Sequence, residues 1–128
     1  MKRILLVILL TTVGFNYTKV EPIEAAGGRC PQYEALLVTN APKGGWDIGR
    51  MSKYMWRESR CTPYVRSRTQ DSGLLQINDI NLRYLSAKLN MNITPATLMN
   101  PEVNVRAAAK LCEFARRVWG NCYAPWRL

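Results

Sequence analysis

With 128 residues the chain has room for one hydrophobic core and too little for two, and 48% hydrophobic with 21% charged residues places it among folded domains rather than disordered chains. It contains no histidine, which excludes Ser-His-Asp and Cys-His catalysis and any histidine metal site. A net charge of +9 steers the molecule towards polyanions, but no helix-turn-helix, zinc-finger or aromatic ribonucleoprotein motif accompanies it, so specific nucleic-acid recognition is not expected.

The chain opens with Lys2 and Arg3 ahead of an apolar run from Ile4 to Leu10 that continues through two threonines to Val13. A basic start and a short apolar stretch read as a secretory signal. A spanning helix needs roughly 20 such residues, so a stable membrane span is not expected. Residues 1–26 are therefore assigned to a signal peptide and lead-in, with small residues for cleavage at Thr12-Val13-Gly14 or at Ala25-Ala26, and 27–128 to the folded domain. Removing 1–26 takes away three cations and two anions and leaves +8. The protein is expected to be secreted, extracellular or cell-wall associated, to be a monomer, and to be drawn by its charge to anionic wall surfaces, acidic glycans or membrane surfaces.

Cys30 to Val38 forms a short helix with Tyr33, Leu36 and Leu37 on one side, and Thr39 to Gly45, with Pro42, Gly44 and Gly45, is a loop. Asp47 is a helix N-cap, and Ile48, Met51, Met55 and Glu58 follow at spacings of three and four. Residues 61–72 lack periodicity and form a loop or small hairpin, followed by the apolar run Gly73-Leu74-Leu75-Gln76-Ile77-Asn78. Leu82, Leu85 and Leu89 mark another helix, and Thr94-Pro95 starts a short one. Asn100-Pro101 starts the last long helix, whose apolar face is Val105, Ala108, Leu111, Cys112, Ala115, Val118 and Trp119, with Gly120 as its stop. Strand signals are few, and the fold class is mainly helical.

Cys30, Cys61, Cys112 and Cys122 contain no Cys-x-x-Cys pair, so structural zinc is not expected. An even count in a small exported domain favours two disulfides, for which three pairings exist. The pairing expected is Cys30–Cys122, joining the two ends, with Cys61–Cys112, joining two helices.

With histidine absent and no phosphate-cradling glycine loop, carboxylates are the remaining acid–base groups, and there are nine. Glu21 and Glu24 lie in the lead-in, Glu34 and Glu113 sit among polar helix positions as solvated charges, Glu102 complements a helix dipole, and Asp47 is a cap. Glu58 differs, because it continues the stripe Ile48-Met51-Met55. A carboxyl group held against apolar neighbours has its charged form disfavoured, which suits a general acid. The alternative is an ion pair at the helix edge with Arg57, Arg60 or Arg66.

Read as a unit, Glu58-Ser59, Pro63, Ser67 and Gly73-Leu74-Leu75-Gln76-Ile77-Asn78 resemble the signature of the lysozyme-like superfamily, closest to the soluble-type bacterial lytic transglycosylases. Trp46-Asp47 with the Glu-Ser pair is similar to the related resuscitation-promoting factors. Asn100-Pro101-Glu102, Asn104-Val105 and Ala107-Ala108-Ala109 resemble the family's final core helix, so the likeness spans roughly residues 46–119. The resemblance implies an α+β lysozyme-like fold with a short hairpin region after the catalytic helix. It also implies cleavage of the β-1,4 bond between N-acetylmuramic acid and N-acetylglucosamine in peptidoglycan glycan strands, with Glu58 as catalytic acid and no cofactor or metal. Ser67 and Gln76 would line the cleft, and Gly73 would let backbone approach a sugar.

Asp71 departs from the transglycosylase pattern, and Asp71-Ser72-Gly73-Leu74-Leu75-Gln76-Ile77-Asn78 looks similar to the corresponding run of animal-type lysozymes. A second carboxylate across the cleft would allow hydrolysis by a two-carboxylate scheme; the other role for Asp71 is to stabilise a turn. Asn78 is a candidate for binding an acetamido group. Tyr123 and Trp126 are candidates for stacking on sugars or, equally, for covering the core near Cys122. Trp46, Trp56 and Trp119 are expected in the core or in cleft walls. The leading reading is a lytic transglycosylase, ahead of a true hydrolase and of a non-catalytic cationic wall-binding or antimicrobial protein.

Overall fold

In a computed structural model the residues described are 28–127, so the assigned signal peptide lies outside the described residues. The chain enters through a 3-10 turn at Pro31–Tyr33 into α1 (Glu34–Thr39), and after a loop forms α2 (Ile48–Ser59). A two-stranded hairpin follows, β1 (Asp71–Ser72) and β2 (Ile77–Asn78), antiparallel with Asp71 opposite Asn78 and Ser72 opposite Ile77. A 3-10 turn at Asp79–Asn81 leads into α3 (Leu82–Leu89), another at Thr97–Met99 into the long α4 (Pro101–Trp119), and a last one covers Ala124–Trp126. Among the described residues no helix is long and apolar enough to cross a membrane.

The helix starts follow from local chemistry. Asp47 accepts the Arg50 N–H at 2.7 Å, and Asn100 accepts that of Val103 at 3.1 Å ahead of Pro101. Each satisfies an amide the helix cannot, for about 1 kcal/mol. Gly120 ends α4 in the left-handed region at φ 69°, where a side chain would be strained.

The core gathers around α4. Val105, Ala107, Ala108, Leu111, Cys112 and Ala115 are buried, and α4 packs on α1, α3, β2 and the flanking 3-10 turns. The alanines keep this helix thin enough for neighbours on several sides. Met51 and Met55 of α2, Leu37 of α1 and Leu74 and Leu75 of the hairpin turn fill the remaining core. Each such side chain contributes roughly 1.5–3 kcal/mol on burial.

Three expectations are corrected. The disulfides are Cys30–Cys61 and Cys112–Cys122, not Cys30–Cys122 and Cys61–Cys112. The entry segment lies on α2, where the Cys30 amide donates to Ser52 Oγ at 2.8 Å, and Cys30 meets Cys61, the second residue past the end of that helix. Gly120 turns the chain back along α4, so Cys122 reaches Cys112 with a Cα separation of 4.2 Å. Glu34 is not a solvated charge: it is 1% exposed because the entry segment folds over it, and the Gly28 amide donates to its Oε1 at 3.1 Å. Val118 and Trp119 leave the apolar face of α4. Ala115 is its last buried position, and Trp119 is 61% exposed.

Candidate active site

Glu58 is the penultimate residue of α2. The buried stripe of that helix is Met51, Ser52, Met55 and Ser59; Ser59 takes the core-facing place one turn after Met55 and donates to the Met55 carbonyl at 3.0 Å. Glu58 therefore sits beside the stripe rather than on it, with its side chain 25% exposed. Its Oε1 accepts from Arg57 Nη2 at 2.8 Å and Nε at 3.2 Å. The same guanidinium group donates to the Trp126 carbonyl and lies 4.7 Å from the centroid of the Tyr54 ring. The ion pair considered from sequence is thus present, and Arg57 links the end of α2 to the C-terminal turn. Directly after, Arg60 and Cys61 both adopt left-handed conformations (φ 55° and 60°), which stops the helix two residues past Glu58.

The hairpin builds a cleft of about 100 Å³, lined by Asp71, Gln76, Ile77 and Asn78 on one side and by Asn81, Leu111 and Trp126 on the other. Asp71 is held on both oxygens. Its Oδ2 accepts from Ser67 Oγ at 2.8 Å and from Thr69 Oγ1, and its Oδ1 accepts from Asn78 Nδ2 at 2.9 Å. Partial burial pushes this carboxyl up, but the hydrogen bonds from Thr69, Asn78 and Ser67 outweigh it and hold Asp71 below the ordinary carboxylate range. Backbone bonds close the same turn, from the Ser67 amide to the Asp71 carbonyl at 2.9 Å and from the Asp71 amide to Ser67 Oγ at 3.0 Å.

Gln76, itself left-handed at φ 46°, donates through Nε2 to the carbonyls of Val65 at 3.0 Å and Gly73 at 2.9 Å, so its amide ties the preceding loop to the turn. Asn78 donates to the Thr69 carbonyl at 2.8 Å as well as to Asp71, and its Oδ1 caps the following 3-10 turn. Behind the hairpin, Arg66 makes a two-pronged pair with Asp79 at 3.0 and 2.8 Å and donates to Ser72 Oγ at 2.7 Å. The bond from Arg66 holds Asp79 below the ordinary carboxylate range.

Trp126 is buried, its indole N–H donating to the Leu75 carbonyl at 3.0 Å, so it is both core and cleft wall. The Tyr123 hydroxyl accepts the Asp47 amide at 2.8 Å, and its ring lies under Arg50 and against Tyr54. Asp71, Gln76, Asn78 and Trp126 thus meet in one cleft, and Ser67 stands behind Asp71. Glu58 reaches that assembly through Arg57, while Tyr123 supports the start of α2.

Asn104 and Arg57 carry more than the sequence reading gave them. Asn104 is fully buried on α4; its Oδ1 accepts the Leu75 amide and its Nδ2 donates to the carbonyls of Ser72 and Leu98, all at 2.9 Å. Gly73 has φ 80°, and the space a Cβ would need is filled by Asn104 Nδ2 and the Leu98 carbonyl, so its close approach is to α4 and the 3-10 turn before it. The signal for Asn104 was available, since it falls four and seven residues before Ala108 and Leu111 on the apolar face. The signal for Arg57 was only its place beside Glu58. Among the described residues no group of three or more Cys, Asp or Glu side chains converges to hold a metal ion.

No curated protein and no solved structure matches the chain significantly. Residues 49–124 match the family described as the Transglycosylase SLT domain, a stretch running from the start of α2, through the hairpin and α4, to the turn that carries Tyr123. That is more than half of the chain, and the protein belongs to the SLT transglycosylase family, as a glycosidase-like enzyme acting on peptidoglycan.

Proposed function

We propose that Glu58 is the general acid that cleaves the β-1,4 bond between N-acetylmuramic acid and N-acetylglucosamine, and that the reaction is a lytic transglycosylation using this single carboxylate. The observation carrying this reading is the contrast between the two acids of the region. Both oxygens of Asp71 already accept hydrogen bonds from side chains that shape its own turn, which suits a residue that fixes the hairpin. Arg57 engages Oε1 of Glu58, so Oε2 is assigned to carry the proton.

The proton passes from Glu58 to the glycosidic oxygen as the bond from that oxygen to the muramyl C1 breaks. The muramyl C6 hydroxyl oxygen then bonds to C1, its proton goes to the Glu58 carboxylate, and a 1,6-anhydro end results. Between the two transfers Glu58 is anionic, and the Arg57 guanidinium group meets that charge. Ser67, Gln76 and Asn78 shape the sugar-facing hairpin, and Trp126 closes the opposite wall. The protein is assigned to an extracytoplasmic, wall-facing setting, for which two disulfides in a small domain are the support.

Digestion of purified peptidoglycan followed by mass spectrometry tests this. Anhydro-muramyl ends are expected from the parent and no products from Glu58→Gln. Reducing ends would assign hydrolysis instead, and full turnover by Glu58→Gln would remove Glu58 from the chemistry.

A further inference from the structure

α2 has two opposite faces. Met51, Ser52, Met55 and Ser59 turn into the core, while Arg50, Lys53 and Arg57, with Arg60 just past the last turn, are all exposed. Their spacing of three, four and three residues sets them in one row on the side away from the core. The row runs about 15 Å from Arg50 to Arg60 at the helical rise. Three rings stand beneath it. The Arg50 guanidinium group lies 4.5 Å from the Tyr123 centroid, that of Arg57 4.7 Å from Tyr54, and that of Arg60 3.6 Å from Trp56. Arg29 of the entry segment covers the same indole at 4.4 Å and adds a fifth exposed cation. Among the described residues only Arg57 of these five pairs with a carboxylate, whereas Arg66 and Lys110 elsewhere are matched by Asp79 and Glu113.

Like charges three and four residues apart along a helix repel one another and destabilise it, and an anionic partner offsets that. A guanidinium group resting on a ring is oriented in advance, and its N–H edge stays open to a bidentate contact with phosphate. Each ring already carries such a group, which leaves no free plate in the row for stacking a base. The apolar face of α2 is in the core, so the helix has none to sink into a lipid surface. A linear, flexible polyanion lying along the helix fits these features. We propose that the row docks a phosphodiester-linked polyol chain of the cell wall, holding the enzyme on the wall independently of the cleft. The proposal rests on the wall-facing setting assigned above and not on the identity of the acid.

The test is fluorescence anisotropy of a labelled poly(glycerol phosphate) chain titrated with the oxidised protein. The probe contains no glycosidic bond, so binding is read without turnover. The parent is expected to bind it, with affinity falling steeply between about 50 and 200 mM salt. Arg50→Gln/Lys53→Gln/Arg60→Gln is expected to weaken binding about tenfold, the equivalent of 1.4 kcal/mol. Arg83→Gln/Lys88→Gln/Arg106→Gln lowers the net charge equally and is expected to weaken it by less than about threefold. If the first triple variant does not fold, Lys53→Gln against Lys88→Gln carries the same comparison, with a loss of about twofold for the first and none for the second. Equal weakening by the two triple variants, no binding by the parent at the lower salt, or tighter binding of single-stranded DNA, poly-glutamate or anionic phospholipid vesicles at equal charge would overturn it. Turnover by Glu58→Gln would sink the assignment of the acid and leave this binding result standing, so the two failures are distinct.

Discussion

Replacing Asn104 by alanine tests how the site hairpin is attached to the core. The substitution removes three hydrogen bonds of 2.9 Å from a side chain with no solvent exposure. It strands the Leu75 N–H and the carbonyls of Ser72 and Leu98 where water does not replace the amide. A buried group left without a partner costs about 1–3 kcal/mol; a stranded donor and two partly compensated carbonyls sum to roughly 3–5 kcal/mol. Against a total stability of about 5–15 kcal/mol, this lowers the melting temperature by roughly 15–30 °C for a domain of this size. The assay is urea and thermal unfolding followed by circular dichroism, with both disulfides intact. Asn104→Asp sharpens it. An aspartate keeps an acceptor for Leu75 but sets an anionic oxygen against two carbonyls, so its penalty should grow as pH rises through the ordinary aspartate range near ~4. A loss below about 1 kcal/mol in Asn104→Ala would refute the claim that this side chain anchors the hairpin.

Asp71→Asn should retain the anhydro product and lose only part of the rate, since the residue shapes a turn; a switch of product or loss of all turnover would return Asp71 to the chemistry. The same carboxylate predicts an acid limb in stability. Its folded-state pKa lies below the ordinary range, so its contribution is complete above the unfolded value of ~3.9 and is lost as pH falls through the folded value. Unfolding midpoints between pH 6 and 2 should therefore fall less steeply in Asp71→Asn than in the parent. Converting Cys30 and Cys61 to serine opens a bridge with a sequence separation of 31 and should cost about 3.7 kcal/mol on the chain-entropy estimate. Peptide mapping that linked Cys30 to Cys122 would contradict the pairing outright.

The parts legible from sequence are those set by neighbours along the chain. Asp47, Asn100-Pro101 and Gly120 mark helix ends because a cap acts on amides three residues away or on the last turn, and all three stand where expected. The spacing from Glu58 to Gly73 and Gln76 pointed to the family that the domain match then showed. Helical periodicity, however, cannot tell a core-facing position from the one beside it. That is why the periodicity puts Glu58 on the stripe whose place Ser59 fills, and why Glu34 reads as a surface charge although the entry segment encloses it.

The sequence by itself determined the helical class and the helix starts and stops, because capping and periodic burial act over three or four residues, and the family, because the motif from Glu58 to Asn78 resembles its signature. The tertiary structure alone decided that Cys30 pairs with Cys61, that Asn104 holds the turn carrying Gly73 and Leu75, and that Arg57 joins Glu58 to Trp126. Each of these joins groups between 29 and 69 residues apart in the chain. Which groups meet over such distances is set by the packing of whole elements around α4, and no local pattern encodes that.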